Sequence, residues 1–559
     1  MCGFVLAAGA LHPISHRALG RLRRRGPDGT GFWASREAVL VHARLAVINP
    51  SDEGLQPVEH ADWVGVFNGE VYNWLSLRRP EERSDAAVLL RLFAEGGSDA
   101  LRDVNGFWAL AAISPDGCVH LVRDQLGVRP LYYAHGKDWL VAASTLRALV
   151  PLLPERPELD YQAMSEWALY QMTLSDHTFF KDVRSLAPGH HLVFPRDGAV
   201  GVHRYEDIWA PGTATPDDAW VRDAQEKLVQ AIVEATSSDV GFTTTCSGGL
   251  DSSVVTRIVE PPLAYHANYS SAEYNETGWA QAVVAGTRTR LYTVNATEPK
   301  FLDLCTRVDE LVQDQDDITV GSVILPLSEL FEAISRRYKV VLLGTGGDEL
   351  FGGYVRLDIA RGKLGDQSAY RAVFDRLAGV LDPVERYDFL HRKGNARIFR
   401  FFDAEHASGA FRAALADEHF LQFERRHFLR ALLTIDDRIG GRYGVEGRPA
   451  LLHQTLVRHV AALDPEKVLA GGLKSVARKV FEPFLPATVL NRSDKKGFPT
   501  PIGAIVNANA AQIRERISSS PHRHLYDLAQ VHWTTEDAYD RQLFGLLQLD
   551  AWLESFSTT

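Results

Sequence analysis

Three short stretches of the chain concentrate residue types that do chemistry. In MCGFVLAAGA a thiol stands at position 2; once the initiator methionine is lost, Cys2 carries a free α-amine beside its own sulfur, so one residue supplies nucleophile and base. In SGGLDSS, after an apolar run and before a helical one, Gly248 and Gly249 let the backbone approach a phosphate closely. The hydroxyls of Ser247, Ser252 and Ser253 and the N–H groups at the helix start suit an anion, and Asp251 suits Mg²⁺ on pyrophosphate. A second strand-to-glycine turn, VVLLGTGGDELFGGY, brings Asp348 and Glu349. Serine capping and carboxylates at helix starts are the bland explanations. Two such turns at the ends of parallel strands would instead share one crevice, with Asp251 and Asp348 as a Mg²⁺ pair. A GxxxxGK[ST] pattern is absent, which disfavours ordinary P-loop phosphoryl transfer.

The first part of the chain adds Arg44 in ARLAVIN, Asn68-Gly69-Glu70 in FNGEVYN and Ser84-Asp85 in RSDAAVLL. An arginine grips an α-carboxylate with two donors, a Glu or Asp holds an α-ammonium, and an Asn amide with a glycine N–H forms an oxyanion hole. Each alone could be a turn residue. Together with Cys2 they describe a pocket for an amino acid that carries a side-chain amide.

These residues need elements to position them. With 559 residues, 45% hydrophobic and 23% charged, the chain is long enough for at least two globular domains. Up to about residue 205, short strands rich in Val, Leu, Phe and Tyr alternate with Gly, Pro, Asp and Asn, which predicts a strand-rich layered domain. WAPGTATPDD, near 209–218, reads as a linker. From 219 on, helical stretches alternate with the apolar strands VGFTTTC and KVVLLGT, which predicts a parallel sheet wrapped by helices, and the last part reads as mostly helical. A net charge of −11 argues against nucleic acid as a partner. No window offers the roughly 18 consecutive apolar residues of a spanning helix, and no signal-peptide pattern stands at the start, so a cytoplasmic protein is expected. The four cysteines (Cys2, Cys118, Cys246, Cys305) form no CxxC pair and suggest neither a disulfide framework nor a zinc site.

SGGLDSS resembles the pyrophosphate loop of ATP pyrophosphatases, which cleave ATP to AMP and pyrophosphate while adenylating a substrate. Taken with MCGF, RGPDG, RLAVIN, FNGEVYN, RDQLGVRPLYY, LAPGH, GGDELFGGY, IDDR, VEGRP and KKGFPTP in that order, nearly the whole chain resembles the glutamine-hydrolysing asparagine synthetase family. The resemblance implies an α/β protein of two domains. Residues 2–208 would be a class II glutaminase domain, an α/β/β/α N-terminal-nucleophile hydrolase sandwich. Residues 219–559 would be an ATP-pyrophosphatase synthetase domain with a doubly wound parallel sheet of the adenine-nucleotide α-hydrolase kind. By position, Cys2 would attack the glutamine carboxamide, and Asn68 and Gly69 would stabilise the oxyanion. Arg44, Glu70 and Asp85 would hold glutamine, with the backbone of Val47 and Ile48. Ser247, Gly248, Gly249, Leu250, Asp251, Ser252 and Ser253 would bind ATP phosphates, and Asp251 and Asp348 Mg²⁺. Cys246, Ala267 and Gly344 fall where the family lines the adenosine pocket. Lys495, with Lys496 as competitor, would neutralise charge near the reacting phosphate. The implied partners are glutamine, ATP and a carboxylate acceptor, and the family often forms homodimers.

Two departures concern the acceptor. Thr345 stands in LGTGGDE where aspartate-using members usually carry Glu, and Leu343 replaces their usual Ser. Relatives that close β-lactam rings have generally lost the first cysteine and carry Tyr at the position of Thr345. Relatives that cyclise lasso peptides use a substrate amine in place of ammonia; the intact glutamine pocket speaks against that here. Aspartate and a specialised carboxylate both remain open as acceptors. Cys2, Asp251, Asp348 and Lys495 argue against the other reading, a non-catalytic glutamine sensor.

Overall fold

The computed structural model describes all residues except 10–15, 197–198, 270–274, 297–302, 317, 320, 365–369, 378, 380–381, 394–395, 417, 493, 495–499, 538–539 and 558–559. Two six-stranded antiparallel sheets build the first domain. One runs in the order Arg184–Ser185, Tyr132–His135, Trp139–Ala143, Gly3–Gly9, Ala38–Arg44, Gly29–Ala34. The other runs Gly201–Arg204, His190–Phe194, Val119–Arg123, Gly106–Ile113, Trp63–Val71, Val58–His60. Strand alternation sorts the side chains into layers. Phe4, Leu6 and Ala8 meet Ala109, Ala111 and Leu121 between the sheets. Trp108, Leu110 and Ala112 face the helix Asp85–Gly96 on the outer side. Val5, Ala43, Val141 and Ala143 pack with the helices Leu146–Leu149 and Tyr161–Tyr170 on the opposite side. The outcome is the expected helix–sheet–sheet–helix sandwich.

In the second domain five parallel strands lie in the order Arg290–Ala296, Leu263–Tyr269, Phe242–Thr245, Val340–Leu343, Glu446–Pro449. The strand order reverses between Phe242–Thr245 and Val340–Leu343, which pair directly with Thr244 opposite Leu342. A crevice opens at such a reversal, at the carboxyl ends of the strands, and both glycine-rich turns leave from it. Among the described residues no helix is long and apolar enough to cross a membrane.

Two expectations change. The strand Glu446–Pro449 lies inside the stretch that reads as helical; it is four residues long, and its buried Glu446 and Arg448 give it no apolar signature. The stretch 209–218 is pinned rather than loose: the N–H groups of Gly212 and Ala214 donate to the carbonyls of Ala461 and Ala462, both 3.0 Å, and Ile208 and Trp209 are buried.

Candidate active sites

Cys2 immediately precedes the strand Gly3–Gly9 inside the first sheet, and its Sγ sits against Leu45, whose N–H donates to it at 3.4 Å. Burial pushes its thiol up to about 11. Met1 is present and fully buried, and burial lowers its amine to about 5, so the amine is neutral at pH 7. Arg25 Nε donates to the Cys2 carbonyl at 3.0 Å and fixes this end of the chain.

Asn68 and Gly69 lie in the strand Trp63–Val71, opposite Ala109 and Trp108. Both polar atoms of the Asn68 side chain are sealed from solvent, without a partner among the described residues. An amide so placed forgoes hydrogen bonds worth roughly 1–3 kcal/mol unless a ligand supplies them. Gly69 has φ +154°, and a Cβ there would lie 2.0 Å from the Phe107 carbonyl oxygen, so only glycine brings its N–H to this spot.

Glu70 and Asp85 form the charged side of the pocket. Ser84 caps the helix Asp85–Gly96, its Oγ accepting from Ala87 N–H at 3.3 Å, which sets Asp85 in the first turn. Burial raises the Asp85 carboxyl to about 7 although it accepts N–H bonds from Val71 and Ala86. Burial and then Asp85 itself raise Glu70, although Arg448 lies 3.0 Å from its Oε2; Glu70 Oε1 has no partner. Two buried carboxyls that both hold protons unusually tightly are short of positive charge, which an α-ammonium would supply.

Arg44 is placed differently from a free carboxylate clamp. Its Nη1 donates to Ser51 O at 2.7 Å and its Nη2 to the carbonyls of Ile48 (3.0 Å) and Asn49, so it shapes the 48–51 loop. Its Nε–H and one Nη1–H remain outside these contacts. The Val47 carbonyl accepts from Asp239 N–H, a contact with the second domain.

The second site is built on the loop after Phe242–Thr245. Gly248, at φ +74°, passes against Trp279, where a Cβ would lie 2.5 Å from Trp279 Cβ. Ser252 Oγ accepts from Ser247 N–H at 3.0 Å and closes the turn, while Ser253 Oγ is buried without a partner. Gly249 caps the helix that begins with Leu250 and Asp251. Cys246 is buried, with its thiol pushed up to about 11 by desolvation, so its carbonyl, bonded to His266 Nδ1 at 2.9 Å, is its polar face. Ala267 lies partly exposed in the neighbouring strand Leu263–Tyr269.

The second turn packs directly on the first. A Cβ at Gly344 would lie 2.6 Å from Ser252 N, and one at Gly347 2.2 Å from Asp251 Oδ1. Asp251 and Asp348 converge on a single ammonium, Lys474 Nζ, at 2.5 and 3.1 Å. Carboxylates converging on one cation suit Mg²⁺, which takes one or two carboxylates plus phosphate oxygens. Lys474 escaped the sequence reading; its one signal is a lysine after the Gly471-Gly472 turn, where it adopts φ +58°. Arg492, also unforeseen, donates to Gly248 O at 3.1 Å and lies over the Trp279 ring. Lys495 and Lys496 lie outside the described residues.

Comparison with known proteins finds two families along the chain. The glutamine amidotransferase domain family matches residues 1–206 and the asparagine synthase family residues 223–554. Asparagine synthetase (glutamine-hydrolyzing) 1 of Bacillus subtilis is 24% identical over 90% of this chain and 87% of its own. A putative asparagine synthetase (glutamine-hydrolyzing) of Mycobacterium tuberculosis is 26% identical over 98% of this chain and 93% of its own. Asparagine synthetase B (glutamine-hydrolyzing) of Escherichia coli is 27% identical over 60% of each chain. With more than half of its length matched by the synthase family alone, the chain belongs to the asparagine synthase family and carries a glutamine amidotransferase domain ahead of the synthase domain.

Proposed function

We propose that the protein is an ATP-dependent, glutamine-hydrolysing amide synthase whose acceptor is aspartate or a related carboxylate. After loss of Met1, the Cys2 sulfur attacks the glutamine carboxamide while the freed amine of Cys2 takes the thiol proton. Asn68 Nδ2 and the Gly69 N–H hold the oxyanion of the tetrahedral intermediate, whose C–N bond then breaks; the nitrogen takes the proton from the Cys2 amine and leaves as ammonia, and water hydrolyses the thioester that remains. Glu70 and Asp85 hold the α-ammonium of glutamine.

In the second domain the backbone and hydroxyls of Ser247 to Ser253 hold the phosphates of ATP. Asp251 and Asp348 would bind Mg²⁺, whose charge offsets that of the departing pyrophosphate. Lys474 orients both carboxylates and adds a positive charge. The acceptor carboxylate attacks the α-phosphate, and ammonia displaces AMP from the acyl-adenylate. Holding the two sites in one interior keeps ammonia from protonation in bulk water.

The observation that carries this reading is Asn68, whose amide is sealed and unpartnered beside Gly69. A glutaminase domain kept only as a scaffold has no need of that unsatisfied amide, which supports glutamine as the nitrogen source. Thr345 favours a second reading, an acceptor other than aspartate, or a cyclase that uses a substrate amine. The test is pyrophosphate release with ATP, glutamine and aspartate. Wild type forms asparagine from glutamine or ammonium, and Cys2→Ala forms it from ammonium alone. Glutamine hydrolysis without asparagine refutes aspartate as acceptor; product that ignores both glutamine and Cys2→Ala favours the cyclase.

A further inference from the structure

Helix Leu429–Tyr443 runs between the two sites with adjacent carboxylates that have opposite surroundings. Asp437 is ion-paired with Arg25 at 2.8 Å and Arg438 at 2.9 Å, and through Arg25 it connects to the Cys2 carbonyl. Among the described residues Asp436 has no such countercharge. Among the described residues its partner is the Thr345 hydroxyl, which donates to Asp436 Oδ2 at 2.6 Å.

Thr345 sits in the turn whose flanking glycines, Gly344 and Gly347, touch Ser252 and Asp251 of the phosphate loop. Thr345 and Asp436 are both of intermediate exposure. Asp436 thus stands beside the nucleotide loop, on the helix whose next residue leads back to Cys2. A nitrogen nucleophile arriving from the first domain would meet it at the place where the activated carboxyl forms.

We propose that Asp436 is the proton acceptor of the synthetase site, taking the proton released when the nitrogen nucleophile attacks the activated acceptor. This inference rests on the proposed amide-forming reaction. The nitrogen lone pair forms the C–N bond, the C–O bond to AMP breaks with its electron pair leaving on the phosphate, and one N–H proton passes to Asp436 Oδ1. Thr345 keeps Oδ2 in place. Burial raises the Asp436 carboxyl to about 7, the Thr345 hydroxyl works against that shift, and Asp437 adds to it. A base with that affinity for protons is matched to neutral pH.

The experiment separates the half-reactions in the full-length protein with aspartate as probe. Aspartate-dependent ATP–pyrophosphate exchange reports activation, and asparagine formed from ammonium chloride reports the nitrogen step. Asp436→Asn is expected to keep exchange within about threefold while asparagine formation falls at least ~100-fold. Asp436→Glu restores part of the loss, and Thr345→Val, which leaves the charge in place, slows the same step. An infrared titration adds a readout that needs no acceptor. The protonated-carboxyl band missing in Asp436→Asn should vanish as pH rises through about 7. Equal loss of both half-reactions, or a raised KM for aspartate with kcat kept, overturns proton transfer. If wild type shows no aspartate-dependent exchange, the aspartate reading fails, and the titration still decides: a carboxyl ionised across the whole range is no proton store for any acceptor.

Discussion

Asp85 and Glu70 show how a ligand pocket is held against the stability of the fold. The Asp85 carboxyl has a folded pKa of about 7, above the ordinary carboxylate value of 3.8. The unfolded chain therefore releases its proton first as pH rises. The folded state loses stability between about pH 4 and pH 7, and the cost is complete above that. Asp85→Asn should raise the unfolding free energy at pH 8 by up to about 4 kcal/mol, with the gain nearly absent at pH 4, while KM for glutamine rises at least ~10-fold. Denaturant melts at the two pH values and glutaminase kinetics check both halves. Stability unchanged at pH 8 would mean that Asp85 is already satisfied.

Legibility at this scale follows contiguity. Asn68-Gly69-Glu70 and Ser247 to Ser253 could be read as sites because the chemistry sits in consecutive residues. Lys474 reaches Asp251 across 223 positions, and Asp436 reaches Thr345 across 91, so neither pairing has a local signal. Position 345, which reads as a lost carboxylate, is bonded to another one. Arg44 shows the reverse limit: its type suggests a clamp, but only the fold reveals that the carbonyls of Ile48, Asn49 and Ser51 occupy most of its donors.

At the scale of elements, the parallel strands Phe242–Thr245 and Val340–Leu343 do the positioning, and glycine lets their turns touch. Gly344→Ala puts a methyl 2.6 Å from Ser252 N, where backbone faces backbone and neither side has a flexible atom to yield. Overpacking of this kind costs about 1–3 kcal/mol, so ATP affinity should fall roughly 10–100-fold. Gly20→Ala, in the helix His16–Leu22 with nothing within 4 Å, is the control and should leave nucleotide binding unchanged. Equilibrium binding of ATP to both variants reads the difference. Period-two and helical patterning foretold these layers, since their faces are apolar. It missed Glu446–Pro449 because both charged side chains of that strand are buried by ion pairs rather than by apolar contact.

Across the whole molecule the two sites are joined by buried charge. Arg448, fully buried on the last strand, pairs with Glu446 at 2.8 Å and with Glu70 of the proposed glutamine site at 3.0 Å. Arg25 and Arg438 overcome the effect of burial on Asp437 and hold it at about 2. Such pairs add little net stability, but each partner fixes the place of the others, since an unpaired buried charge costs roughly 3–5 kcal/mol. With glutamine as the nitrogen source, the two domains must act as one enclosure for the transferred nitrogen. The most direct measurement supplies glutamine labelled at its amide nitrogen, ATP and aspartate in excess unlabelled ammonium, and reads the label in asparagine by mass spectrometry. Label retained in the product at nearly the enrichment of the glutamine is the predicted result. Label diluted to the level of the ammonium pool would contradict the account, because the nitrogen would then reach the second site through solvent.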